Sequence, residues 1–161
     1  SRPTRTLRLL VNEENSFKLS VAREIAASFS AAGIDMTVTA LPWADYTVAL
    51  AAGSFDLYYG EVRLTADWNL APLLATGGRL NYGGWCDARC DQLLEAARSA
   101  LDQKAALSTL CRYLQLQTPI LPVCFKSVSV LYAANTVSGL SPTAAEPFYE
   151  LQDITIQLRN G

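Results

Sequence analysis

The chain has 161 residues, half of them hydrophobic and 17% charged, with a formal net charge of −2. That length allows one domain with a sizeable core. The composition excludes a disordered chain, and the charge gives no electrostatic reason to bind DNA, RNA or anionic lipid.

Thr6 to Asn12 alternates, with Leu7, Leu9 and Val11 on one side, and reads as a half-buried strand. Ser16 to Ala32 reads as a helix with Leu19, Ala22, Ile25, Ala26 and Phe29 on one face, stopped by Gly33. Asp35 to Leu41 alternates again and ends at Pro42. Trp43 to Ala52 is a second helix, and Phe55 to Tyr59 a short apolar strand around Asp56. This β-α-β-α-β order with short connections predicts a parallel, helix-covered sheet. From Gly60 to Trp85 the chain is rich in glycine and carries only a short helix near Leu70 to Ala75; a loop this long in a compact domain points to function. Asp87 to Leu101 forms a helix with Cys90, Leu93, Leu94, Ala97 and Leu101 inward and Asp87 as N-cap. Asp102 caps the next, with Ala106, Leu107, Leu110 and Leu114 inward, and Thr118-Pro119 ends it. Ile120 to Cys124 and Ser127 to Tyr132 read as strands, Asn135 to Gln152 as a loop, and Ile154, Ile156 and Leu158 as a last strand.

Histidine is absent, so Ser-His-Asp and Cys-His sites cannot arise within this chain. Cys86, Cys90, Cys111 and Cys124 permit a disulfide, free thiols or a weak zinc pattern, and spacing alone does not choose. Cys111, among Leu107, Leu110 and Leu114, is expected to be buried. No stretch reaches the roughly 20 apolar residues of a membrane span. The chain opens at Ser1 and is expected to be a piece of a longer protein.

Several motifs together resemble the extracellular solute-binding proteins of family 5, which serve peptide/nickel-type ABC importers. They are the opening strand Leu7-Arg8-Leu9-Leu10-Val11-Asn12, then Gly53-Ser54-Phe55-Asp56-Leu57 and Ala66-Asp67-Trp68-Asn69-Leu70-Ala71-Pro72. Asn81-Tyr82-Gly83-Gly84-Trp85 with Asp91-Gln92-Leu93-Leu94, and Pro119-Ile120-Leu121-Pro122-Val123, complete the set. Each is loose alone; their shared order from about Thr6 to Leu158 is specific. The resemblance implies an α/β fold, one lobe of a type II periplasmic-binding-protein fold, with a mixed, mostly parallel sheet covered by helices. Residues 1–161 would be a single domain, the C-terminal, inserted lobe of a two-lobed protein. Its hinge ends would lie near 1–9 and 154–161, close together. The implied function is binding of a small solute, with a peptide first in line, and its delivery to the membrane permease of an ABC importer. The implied place is extracytoplasmic, with a lipid-anchored parent. The missing N-terminal lobe is the other implied partner, and no enzyme activity, cofactor, metal or nucleic acid is expected.

In the family the aspartate of the "A-D-[YW]" segment pairs with a peptide's α-ammonium, and the matching position is Asp67; a solvated loop aspartate or an N-cap for the helix at Leu70 is the alternative. Glu61 and Arg63 follow the carboxyl end of the Phe55 strand, where ligands of open α/β sheets collect; Arg63 would fork onto a ligand carboxylate or form an ordinary ion pair. Trp68 and Tyr82 are candidate ligand walls, with Trp85 assigned to packing. Asn81 joins the ligand-binding set through its motif. The segment Glu61-Val62-Arg63-Leu64-Thr65 departs from the "G-W-x" common in oligopeptide binders, and Asn69-Leu70-Ala71 lacks the usual acidic residue before Pro72. Two other functions fit less of the pattern: a ligand-sensing regulatory domain of the same fold, and a hydrolase using Glu61 and Asp67 as paired carboxylates.

Overall fold

The computed structural model describes residues 5–65, 67–125, 137–141, 143, 146 and 149–157. The chain divides into two compact units, Ser1–Val62 with Tyr82–Gly84, and Arg63–Asn81 with Trp85–Gly161.

The first unit holds β1 (Leu7–Asn12), α1 (Ser16–Ala31), β2 (Met36–Leu41), α2 (Trp43–Ala51) and β3 (Leu57–Tyr58). The strands form a three-stranded sheet in the order β2-β1-β3, and both pairings are parallel. Alternation sends Leu9 and Val11 of β1 to one face, where Ala22 and Ala26 of α1 and Met36 of β2 cover them. Leu10 points the other way, onto Tyr46 and Leu50 of α2. Helices therefore cover both faces, as expected. The expectation of a half-buried β1 is corrected: Leu9, Leu10 and Val11 are all buried, because β1 is the central strand. Asn15 caps α1 by accepting the Lys18 N–H at 3.0 Å. Gly33, at φ 81°, takes the left-handed turn that follows the helix. Asp56 explains its own motif: its carboxylate accepts the Arg8 N–H at 2.8 Å and pairs with Arg5, stitching the start of β3 to the start of β1.

At the start of α2 the Glu14 Oε1 accepts the Trp43 N–H at 2.6 Å. That bond holds the Glu14 carboxyl below its ordinary 4.5. A depressed folded pKa contributes stability above the unfolded value, and the contribution is lost as pH falls through the folded one. Glu14→Gln should therefore lower stability at neutral pH and flatten its decline in acid. Urea melts across the carboxylate range measure both.

The second unit holds α3 (Ala71–Leu74), α4 (Ala88–Ser99) and α5 (Gln103–Gln117), then β4 (Val137–Ser138), a 3-10 turn (Leu151–Asp153) and β5 (Thr155–Ile156). Its core joins Leu74 to Cys90, Leu93, Leu94 and Ala97 of α4 and to Leu110 and Leu114 of α5. Asp87 and Asp102 cap α4 and α5 as read from the sequence, accepting N–H bonds from Cys90 and Ala105. Leu101 does not join the inward face. The backbone turns extended at Ala100, α4 stops at Ser99, and Leu101 is fully exposed. Residues 120–125 show no strand pairing among the described residues; Pro119 and Pro122 each remove a ladder donor there. The expected strand Ser127 to Tyr132 lies outside the described residues, as do the outer chain ends expected to meet at a hinge. The expected loop from Asn135 to Gln152 contains β4, which pairs antiparallel with β5. Gly139 permits this hairpin's close approach, since a Cβ there would meet the Asp153 carbonyl oxygen at 2.6 Å.

All four cysteines are free thiols, and only Cys90 is buried. The expectation for Cys111 is corrected. One residue past buried Leu110 is about 100° around a helix, which carries Cys111 off the apolar stripe to the exposed side. Burial also pushes the Cys90 thiol up. With a thiol reagent, Cys86, Cys111 and Cys124 should react rapidly and Cys90 only as the protein opens, an order that mass spectrometry of timed samples reads directly. Among the described residues no helix is long and apolar enough to cross a membrane.

Candidate functional site

In open α/β sheets ligands gather outside the carboxyl ends of the strands. In the first unit that edge carries Asn12 at the end of β1, Lys18 in the first turn of α1, and Glu61 just past β3. The Tyr59 N–H still bonds the Leu10 carbonyl at 2.8 Å, so the chain leaves the sheet beside the end of β1. Glu61 Oε2 then meets Lys18 Nζ at 3.1 Å, with the lysine side chain only 11% exposed and the glutamate 46%. Asn12 is buried; its Nδ2 donates to Glu14 at 3.3 Å, while its Oδ1 has no hydrogen-bond partner among the described residues.

Tyr82 lies edge-on to Tyr58, with ring centroids 6.1 Å apart, and Tyr58 is edge-on to Phe55. Tyr46 donates its hydroxyl to the Tyr59 carbonyl at 3.2 Å. Burial, reinforced by Tyr58 and Tyr82, pushes the Tyr46 phenol up to about 12, and burial followed by Tyr82 raises Tyr58. These phenols stay neutral at physiological pH, and the edge presents an uncharged aromatic wall beside one ion pair.

In the second unit Asp67 and Trp68 line a shallow hollow floored by Leu70, Leu94, Ala97, Leu107 and Leu110, with Arg98 at its rim. The Asp67 carboxylate is exposed and has no partner among the described residues, while its backbone carbonyl accepts from Gln103 at 3.3 Å. It does not cap the helix at Leu70. The N-cap position is Leu70, which makes no side-chain cap bond, and Asn69 just before it accepts the Ala71 N–H at 3.0 Å. Trp68 adopts a left-handed φ of 54°, uncommon for a bulky residue, and its ring tilts against Phe125 at 5.9 Å while remaining half exposed. Arg63 is exposed.

Asn81 is committed to its own loop. Its Nδ2 donates to the carbonyls of Ala75 and Trp85, at 3.0 and 2.7 Å, and its Oδ1 accepts the Trp85 N–H at 2.9 Å. Asp91 anchors the same loop by accepting both the N–H and the hydroxyl of Thr76, which holds its carboxyl down. Trp85 is half-buried with its indole nitrogen enclosed, in keeping with a packing role.

Lys18 and Asn12, at the same sheet edge, are not singled out by the sequence reading. Lys18 had a signal, since it stands at i−4 and i−8 from Ala22 and Ala26, inside the inward stripe of α1. Asn12 had a weaker one, as the polar residue that ends an apolar strand.

The fold is that of one lobe of a type II periplasmic-binding protein, an α/β arrangement with a mostly parallel sheet covered by helices. No family model and no curated protein sequence matches the chain. Among solved structures, the OppA complex of Haemophilus influenzae with the peptide RPPGFSPFR aligns with a TM-score of 0.66 at 20% identity, over 94% of this chain and 31% of that one. The oligopeptide-binding protein AppA of Bacillus subtilis, in complex with a nonapeptide, aligns at 0.65 and 14% identity, over 95% and 32%. The murein tripeptide binding protein MppA of Escherichia coli aligns at 0.61 and 21% identity, over 71% and 23%. The chain thus spans about a quarter to a third of the proteins it matches.

Proposed function

We propose that this chain is the C-terminal, inserted lobe of an extracytoplasmic solute-binding protein of family 5, which binds a peptide and delivers it to the permease of an ABC importer. The parent is lipid-anchored and two-lobed, and the hinge ends of this lobe lie near residues 1–9 and 154–161. The observation that carries the reading is the likeness of nearly the whole chain, 94% and 95% of it, to binding proteins in complex with peptides.

The candidate ligand-facing residues of the first unit are Glu61 and Tyr82; those of the second, taken by itself, are Arg63, Asp67 and Trp68. Asp67 meets the peptide's ammonium, and Asn81 contributes by shaping the loop that carries Tyr82. Binding, rather than catalysis, is the activity, a reading supported by the likeness of the fold to peptide-binding proteins. Native mass spectrometry of the full parent, purified without added ligand, should reveal a co-purifying peptide. Absence of any peptide adduct, together with no thermal shift from pooled tri- to nonapeptides, would remove the peptide reading.

One observation favours a second reading, a ligand-sensing regulatory domain of the same fold. Four unpaired cysteines, three of them exposed, suit a reducing compartment. Protease shaving of intact cells discriminates the two: an exported parent is cleaved, and a cytosolic regulator is protected.

A further inference from the structure

We propose that Gly78 is a positioning residue for the Asp67–Trp68 segment: the end of α3 rests on its bare Cα, and that seat sets where the Asp67 carboxylate stands. The proposal rests on the peptide-binding reading above and adds to it a residue that acts through Asp67.

Three observations within the second unit converge. The Asp67 side chain has no partner among the described residues, so only its backbone places it. That backbone runs directly into α3, which has 4 residues and is too short to hold itself. Asn69 ties the start of α3 through the Ala71 N–H, and buried Leu74 anchors it in the core. At the other end the carbonyl oxygens of Pro72, Ala71 and Ala75 converge on Gly78, at 2.7, 2.8 and 3.0 Å from where a Cβ would stand. Only glycine admits so close an approach of backbone, and a side chain there must displace something. The carbonyls are not free to turn aside. Pro72 accepts the Leu80 N–H at 2.8 Å, Ala71 the Ala75 N–H at 3.0 Å, and Ala75 both the Gly78 N–H at 2.8 Å and Asn81 Nδ2 at 3.0 Å. Nor can the loop retreat, since Asp91 of α4 accepts two bonds from Thr76 and Asn81 is tied to Trp85. The short helix is what gives, and Asp67 just upstream moves with it. Gly77 is the contrast. It takes a left-handed φ of 72°, but a Cβ there meets nothing within 4 Å. Alanine at 77 costs stability through its φ alone, whereas alanine at 78 moves α3.

The two glycines therefore separate position from stability. Calorimetry on the proposed two-lobed parent compares matched tetrapeptides with free and acetylated amino termini. Gly78→Ala should cut the preference for the free terminus about tenfold, the contribution of one charge-assisted contact. Gly77→Ala should lower the melting temperature and keep the preference. In a cycle with Asp67→Ala, Gly78→Ala should take no further preference away, as expected of a residue acting through Asp67. If Gly78→Ala fails to fold in a thermal melt, Asn81→Ser, which removes the Nδ2 bond to the Ala75 carbonyl, is read in its place and should also lower the preference. An undiminished preference in the variant that is read, or an equal loss in Gly77→Ala, overturns the positioning role while leaving peptide binding intact. A wild-type parent without the preference overturns the ammonium role of Asp67, and this proposal with it, but not the peptide reading. Binding of neither peptide form overturns the peptide reading itself.

Discussion

Asp67→Ala in the proposed two-lobed parent is expected to weaken binding of peptides with a free amino terminus by about 10- to 100-fold, and to leave N-acetylated peptides nearly unaffected. A hydrogen bond to a charged group contributes about 1.5–3 kcal/mol, and each ~1.4 kcal/mol is tenfold in affinity. The Asp67 carboxylate is exposed and without a partner among the described residues, so alanine there breaks no internal bond of its own. The effect should therefore fall on the ligand's ammonium and not on stability. Calorimetry with matched free and acetylated peptides separates the possibilities. Equal losses for both would remove the amino-terminal role, and no loss for either would put Asp67 outside the site.

The isolated 161-residue chain should bind the same peptides at least ~100-fold more weakly than the parent, or not measurably. The chain spans 31% and 32% of the peptide-bound structures it matches. Two-lobed binders enclose the ligand by hinge closure, which excludes water and strengthens every polar contact. Without the second lobe both its contacts and the closure are lost. An isolated lobe that binds as tightly as the parent would place the whole ligand site on this chain.

The sequence made the first unit legible because its signals are local. Period-2 alternation in Leu7 to Val11, the 3.6-residue stripe of α1 and the stop at Gly33 each depend on a few neighbouring residues. Asp87 and Asp102 were readable as caps for the same reason. What escaped depends on partners far along the chain. Burial of Leu10 requires knowing that β3 docks on the far side of β1 and that α2 covers that face. Exposure of Cys111 turns on about 100° of helix rotation that a list of apolar neighbours conceals. The Lys18–Glu61 pair joins residues far apart in the chain, and neither residue type signals it. Asp67, Trp68 and Tyr82 are singled out by the motifs they stand in, and their ligand role is the proposal made above. The commitment of Asn81 to its own loop was not legible, because it rests on two backbone carbonyls and an N–H that only the folded loop brings together.

That loop commitment has a thermodynamic consequence. Residues 75–85 contain four glycines, Gly77, Gly78, Gly83 and Gly84, and a free chain of this composition samples many conformations. Asn81 ties Ala75 to Trp85, and Asp91 fixes Thr76, so much of that conformational entropy is already gone before any ligand arrives. Tyr82 follows Asn81 directly, on a backbone that does not have to order itself around the ligand. Binding there should then carry a small entropic penalty and a fast approach, the signature of a rigid wall and not of a closing flap.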